Sequence, residues 1–145
     1  MFILIFPCKS FADSRLDNCL QYRDEIESIL ESENVSKDFF YLAVCESGCK
    51  NAESNKGAKG FFQMTDYTFK KFRDQECTDI NDIKCSTIAA ARYLKHLSNY
   101  PHSGISMIIQ MYNQGGHNRI KNGSTKESRG LSHCVLKYLK QNNGD

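Results

Sequence analysis

Residues 36–47 read Ser36-Lys37-Asp38-Phe39-Phe40-Tyr41-Leu42-Ala43-Val44-Cys45-Glu46-Ser47, and the reading of the fold turns on them. Every side chain from Phe39 to Cys45 is apolar. A helix with no polar face has nothing to offer water, so it must run through the centre of the fold. Ser36 is a good N-cap residue, which predicts a buried helix over about 37–46. The run ends on Glu46. A carboxyl group set against that much hydrocarbon resists ionising, so its pKa should rise. The competing reading is that Glu46 simply emerges into solvent at the helix end, and position alone favours that one.

Outward from this helix the apolar period stays helical. Leu16, Cys19, Leu20, Tyr22, Ile26, Ile29 and Leu30 form one stripe, predicting a single first helix over roughly 15–32, broken at Asn34 and Val35. Residues 47–62 are rich in Gly, Ser, Asn and Lys and read as a loop, with room for one small β-hairpin near 50–62. Thr65 can cap a short helix over 66–73. Ser86 to Ser98 reads as a helix ended by Pro101, and Ile105, Ile108, Ile109 and Tyr112 mark another that Gly115-Gly116 stops. A polar loop over 117–130 leads to a last helix carrying Leu131, Cys134, Val135, Tyr138 and Leu139. No segment alternates convincingly with period two. The fold class is therefore mainly α.

The chain has 145 residues, enough for one domain and a real core. Its formal charge of +2 is too small to argue for a nucleic-acid partner. No run is long enough to span a membrane. Met1 to Phe6 is a short apolar run, and Ser10-Phe11-Ala12 offers small residues where a signal peptidase reads them. Residues 1–12 are read as a truncated signal peptide cleaved after Ala12, and 13–145 as the domain. A lipoprotein anchor at Cys8 fits poorly, because Pro7 precedes it.

Cysteine counting supports export. The chain has seven cysteines, and loss of residues 1–12 leaves six: Cys19, Cys45, Cys49, Cys77, Cys85 and Cys134. Six in a small domain suit an oxidising compartment and up to three disulfides. Cys77 with Cys85 would staple a local loop. Cys45 and Cys49 could close the turn after the helix, or one of them could reach Cys19 or Cys134. Zinc fits worse, since no Cys-x2-Cys pair exists and the histidines lack finger spacing.

Three features carry chemistry. Glu46 is one. Gln63 ends Gly57-Ala58-Lys59-Gly60-Phe61-Phe62-Gln63, where Gly57 and Gly60 permit tight turns and close approach of a substrate chain. An amide that donates and accepts suits an acetamido sugar, although this is equally a routine glycine-containing loop. Asn113 follows Tyr112 before Gln114-Gly115-Gly116, and it either meets a sugar or caps a helix C-terminus.

Together, Glu46-Ser47-Gly48, then Gly57 through Met64, then Tyr112-Asn113-Gln114-Gly115, closely resemble the lytic transglycosylase (SLT) domain and its goose-type lysozyme relatives, in order and spacing across residues 36–116. The resemblance implies a lysozyme-like helical fold with a glycan-binding cleft. It implies that Glu46 is the proton donor to the bond between N-acetylmuramic acid and N-acetylglucosamine in peptidoglycan. Ser47 would position Glu46. Gln63 and the Gly57–Gly60 backbone would line sugar subsites, and Tyr112 and Asn113 would face the acid. The same carboxyl would then act as base and close a 1,6-anhydro ring, with no metal or cofactor. A monomeric, secreted or periplasmic enzyme is expected.

Departures from the family pattern are specific. The C-terminal stretch reads Glu127-Ser128-Arg129-Gly130-Leu131, so Glu127 matches but Leu131 stands where the family has tyrosine, and one cleft hydroxyl is lost or supplied elsewhere. Cys45 and Cys49 flank the Glu46 turn, which suggests a disulfide at or near it. Asp66 offers a second carboxylate for an inverting, water-activating enzyme, but a first-turn helix acid is the better reading. The alternatives to a transglycosylase are a hydrolytic goose-type lysozyme and an inactive, disulfide-stapled module that only binds wall glycan. The four histidines and Lys70, Lys71 and Arg73 are assigned to the surface, the basic group within reach of the glycan's peptide stems.

Overall fold

A computed structural model describes residues 11–144, with side chains from Ser14 onward. Residues 1–10, which hold most of the expected signal segment, lie outside the described residues. Eight α-helices make up the described fold: α1 (Phe11–Leu20), α2 (Arg23–Ser32), α3 (Phe40–Ser47), α4 (Asp66–Phe72), α5 (Ile83–Ser98), α6 (Ile105–Gln114), α7 (Gly116–Asn122) and α8 (Lys126–Asn142). A 3-10 turn, Lys37–Phe39, leads into α3, and the Ser36 hydroxyl accepts from the Asp38 amide.

Helix α3 is the centre, as its composition demands. Phe40, Leu42, Ala43 and Val44 are fully buried. It packs on α8, where Tyr41 stacks on Tyr138 with rings 5.5 Å apart and nearly parallel. Helix α5 carries Ala89, Ala90 and Ala91 in the core, and these small side chains let α2 and α4 lie close against it. Arg92 of α5 grips Glu33 with two hydrogen bonds of 3.1 and 3.2 Å, tying α5 to the end of α2.

Four expectations needed correction. The single helix over 15–32 is two, because the chain turns at Gln21-Tyr22. Helix α1 packs against α3 while α2 lies chiefly on α5, and one straight helix cannot serve both faces. Leu20, counted in the shared stripe, is consequently 47% exposed. The polar loop over 117–130 contains α7 and the start of α8, which Thr125 and Ser128 begin with a reciprocal capping box. The hairpin reduces to one antiparallel bridge, Lys59 with Met64, and no strand occurs among the described residues. Helix α5 also starts earlier than Ser86, at Ile83, because the Asp82 side chain accepts from the Cys85 amide as an N-cap.

The six cysteines pair as Cys19–Cys49, Cys45–Cys134 and Cys77–Cys85. The local loop staple is present. A Cys45–Cys49 closure is not: Cys49 reaches back to α1 and Cys45 across to α8. The cysteines that zinc would need are therefore already joined to one another.

Candidate active site

The end of α3 is held from both sides. Gly48 adopts φ 63° and its amide reaches back to the carbonyls of Ala43 and Val44, a left-handed stop that a side chain would resist. The flanking disulfides fasten this turn to α1 and α8, and Arg15 of α1 donates to the Cys45 carbonyl at 3.0 Å. Glu46, on the last turn of the helix, therefore has little freedom to swing away.

The loop after α3 folds over to form the opposite wall. Ser47 Oγ donates to the Phe61 carbonyl at 2.7 Å, and the Tyr112 hydroxyl donates to the next carbonyl, Phe62, at 2.8 Å. Two elements thus clasp consecutive peptide groups just ahead of Gln63. Gly60 has φ 75°, and a Cβ there would lie 2.6 Å from the Ile80 carbonyl oxygen, so only glycine fits. Gln63 itself has φ 49°, and its amide nitrogen donates to the carbonyls of Ala52 and Gly60. That leaves the amide oxygen as its free hydrogen-bonding atom.

A cavity of about 700 Å³ lies between these walls, and Glu46, Gln63, Tyr112 and Asn113 all line it, with Tyr93 and Glu127. A smaller one of about 290 Å³ continues past Glu46, Asn113 and Glu127 to Arg15 and Leu131. Glu46 therefore stands at the waist of a trough. Its residue keeps a partial opening to the cavity, but protein surrounds the carboxyl on almost every side, and that surrounding sets its proton affinity. Burial, with a smaller push from the Glu127 carboxylate, raises its pKa to about 8. Tyr112 is buried, and its hydroxyl is held well above the usual tyrosine range by burial, Glu46 and Tyr93.

Of the residues singled out in the sequence, Glu46, Gln63, Tyr112 and Asn113 come together at one cavity. Ser47, Gly57 and Gly60 do not line it; they shape and fasten the loop behind it. Asp66 is exposed and paired with Lys59 at 2.9 Å, outside the cavity, as a first-turn helix acid would be. The second carboxylate of the trough is Glu127. It is held by Lys56 at 3.0 Å and Asn113 at 3.5 Å, and both contacts keep its pKa below the ordinary carboxylate value. The motif match includes Glu127, yet no role follows for it from sequence. It lies two residues after Thr125, in the first turn of α8. Among the described residues, no group of three or more His, Cys, Asp and Glu side chains is arranged to hold a metal.

The transglycosylase SLT domain family model matches residues 25–134, from within α2 to Cys134 in α8, and takes in every residue that lines the trough except Arg15 of α1. The chain belongs to the transglycosylase SLT domain family. No curated protein matches it in sequence. As an SLT domain it is a lytic transglycosylase-type protein that acts on peptidoglycan. In this SLT domain Leu131 presents only hydrocarbon to the smaller cavity, while Tyr93 lines the larger one.

Proposed function

We propose that the protein is a peptidoglycan lytic transglycosylase that cleaves the MurNAc-β-1,4-GlcNAc bond with Glu46 as its single acid and base. The observation that carries this is a carboxyl group with a pKa near 8 at the waist of a glycan-sized trough. Such a group is protonated at neutral pH and can give its proton to the glycosidic oxygen as the bond to C1 breaks. The acetamido oxygen of the muramic sugar stabilises the positive charge at C1. Glu46, now ionised, takes the proton of the C6 hydroxyl as O6 bonds to C1. The 1,6-anhydro ring closes, Glu46 regains its proton, and no water is consumed. Asn113 and the free oxygen of Gln63 hold the sugars, and Tyr112 fixes the wall opposite.

One observation favours a second reading, hydrolysis as in goose-type lysozymes. Glu127 is an ionised neighbour that could activate water, and two carboxyl groups with pKa values pushed apart are the usual equipment for it. Digestion of purified peptidoglycan followed by mass spectrometry separates the two. Anhydro ends, lighter by one water, support the transglycosylase; reducing ends support the hydrolase. Three disulfides support action in an oxidising compartment, the periplasm or outside the cell.

A further inference from the structure

Helix α1 lies outside the residues that the SLT family model matches, yet it meets the Glu46 turn at three points. The Cys19–Cys49 disulfide fastens it just beyond the Gly48 stop. The Arg15 stem runs along Gly48, where an added Cβ would lie 3.2 Å from Arg15 Cγ. The Arg15 guanidinium donates from Nη1 to the Cys45 carbonyl at 3.0 Å, and Arg15 also lines the smaller cavity with Glu46, Asn113 and Glu127.

The Cys45 carbonyl is well placed to control Glu46. The last carbonyls of a helix have no amide in a following turn to meet. In α3 the Gly48 amide meets those of Ala43 and Val44, and Arg15 meets the next in line, Cys45. A cation at this end of a helix is also favoured by the dipole. A peptide group is planar, so the Cys45 carbonyl, the Glu46 nitrogen and the Glu46 Cα share one plane. A donor fixed on that oxygen therefore steadies the plane from which the Glu46 side chain departs. The disulfides act elsewhere: Cys45–Cys134 holds the Cys45 side chain, and Cys19–Cys49 holds the chain after the helix has ended. Burial and Glu127 set the proton affinity of Glu46, so what Arg15 governs is where that carboxyl stands.

We infer that Arg15 is a positioning residue for Glu46, and that α1 is thereby part of the active site. The inference rests on the glycan-cleaving reading for its reaction, but one of its two measurements needs no turnover. That one is amide hydrogen exchange on the intact, disulfide-bonded protein. Arg15→Met keeps a stem on Gly48 and removes the donor. The amides of Glu46, Ser47 and Gly48 should exchange about fivefold faster, the scale of one hydrogen bond, while those of α5 keep their rates.

The second measurement is release of soluble muropeptides, well below the thermal midpoint so that every variant is folded. Arg15→Met should lower kcat about fivefold and leave KM within about twofold, because the strand still binds and only the acid is misplaced. Arg15→Lys should recover most of the loss, since an ammonium can donate to the same carbonyl. Arg92→Met is the control. It cuts the tie between α5 and Glu33, which lines neither cavity, so it should lower the thermal midpoint and leave kcat intact.

An unchanged kcat in Arg15→Met, or a fall that Arg92→Met reproduces, overturns the inference and leaves Arg15 as a helix cap with no bearing on the reaction. Unchanged exchange at the Glu46 turn overturns it as well. If the unsubstituted protein releases no fragments, the cleavage reading fails, and the exchange rates alone decide whether Arg15 holds the turn. If fragments are released but exchange and kcat ignore Arg15, the cleavage reading stands and this assignment falls.

Discussion

The Tyr112 hydroxyl donates to the carbonyl of Phe62 at 2.8 Å, and this one buried bond joins helix α6 to the loop that carries Gln63. Tyr112 is fixed because α6 is packed along Ile108, Ile109 and Met111, and Phe62 because its side chain is fully buried. The bond therefore sets the width of the trough between two rigid parts. Tyr112→Phe leaves a buried carbonyl without its partner, which costs about 1–3 kcal/mol. A lower thermal midpoint together with reduced kcat/KM is expected. An unchanged midpoint would mean that the loop is held elsewhere.

Glu46→Gln should abolish nearly all turnover with the fold retained, read by release of soluble muropeptides. It should also change how stability depends on pH. In the folded protein Glu46 has its pKa raised from 4.5 to about 8, so its contribution to stability is full below the unfolded value and is lost as pH rises through the folded one. The variant has no such loss. Its thermal midpoint relative to the unsubstituted protein should climb between pH 5 and pH 9, by an amount equivalent to roughly a few kcal/mol. Parallel curves across that range would place Glu46 in an ordinary aqueous setting.

Activity should be high where Glu46 holds its proton and fall above about pH 8. Glu127 raises the Glu46 pKa, though less than burial does. Glu127→Gln removes that charge, so the alkaline fall should move to lower pH by a modest amount. A fall that stays put or moves upward in pH–rate profiles would mean that the two carboxyls do not sense each other.

The disulfides should differ in weight. Cys45–Cys134 joins residues 89 apart and Cys77–Cys85 residues 8 apart. On loop-closure grounds, replacing the first pair with alanine should cost about 4–5 kcal/mol and the second about 2–3 kcal/mol. The first should also depress activity, because it ties the Glu46 turn to the helix that carries Glu127. Denaturant midpoints in the reverse order would argue that native contacts, rather than chain entropy, dominate.

Gly60→Ala should fail for two reasons at once: a φ of 75° and a Cβ 2.6 Å from the Ile80 carbonyl oxygen. A loss of about 1–3 kcal/mol is expected from the backbone alone. Turnover should drop further than the folded fraction does, because the Gln63 loop is displaced.

What could be read ahead of the structure had local causes. Helix α3 follows from an unbroken apolar run, whereas Glu46 at its end was singled out only through the Glu46-Ser47-Gly48 motif, because position alone favoured solvent. Gln63, Tyr112 and Asn113 were legible through the motifs that contain them. What was missed had distant causes. Nothing at Gln21-Tyr22 breaks a helix; the turn there exists because α1 and α2 pack on different partners. Helix α7 is polar and short, so no apolar stripe announces it. Glu127 joins Glu46 because α8 packs against α3, a relation between residues 81 positions apart in the chain that no local pattern encodes. Asp66 was the candidate second carboxylate nearest Gln63 in sequence, and the preferred reading of it as a first-turn helix acid agrees with its place on α4, paired with Lys59.

Everything rests on one proton being where hydrocarbon keeps it. Carbon-13 NMR titration of the glutamate side-chain carboxyls, with the Glu46 resonance assigned by its absence in Glu46→Gln, measures that directly. The expected result is one carboxyl titrating near pH 8, set apart from the other glutamates. A Glu46 resonance titrating near 4.5 would contradict the account at its root.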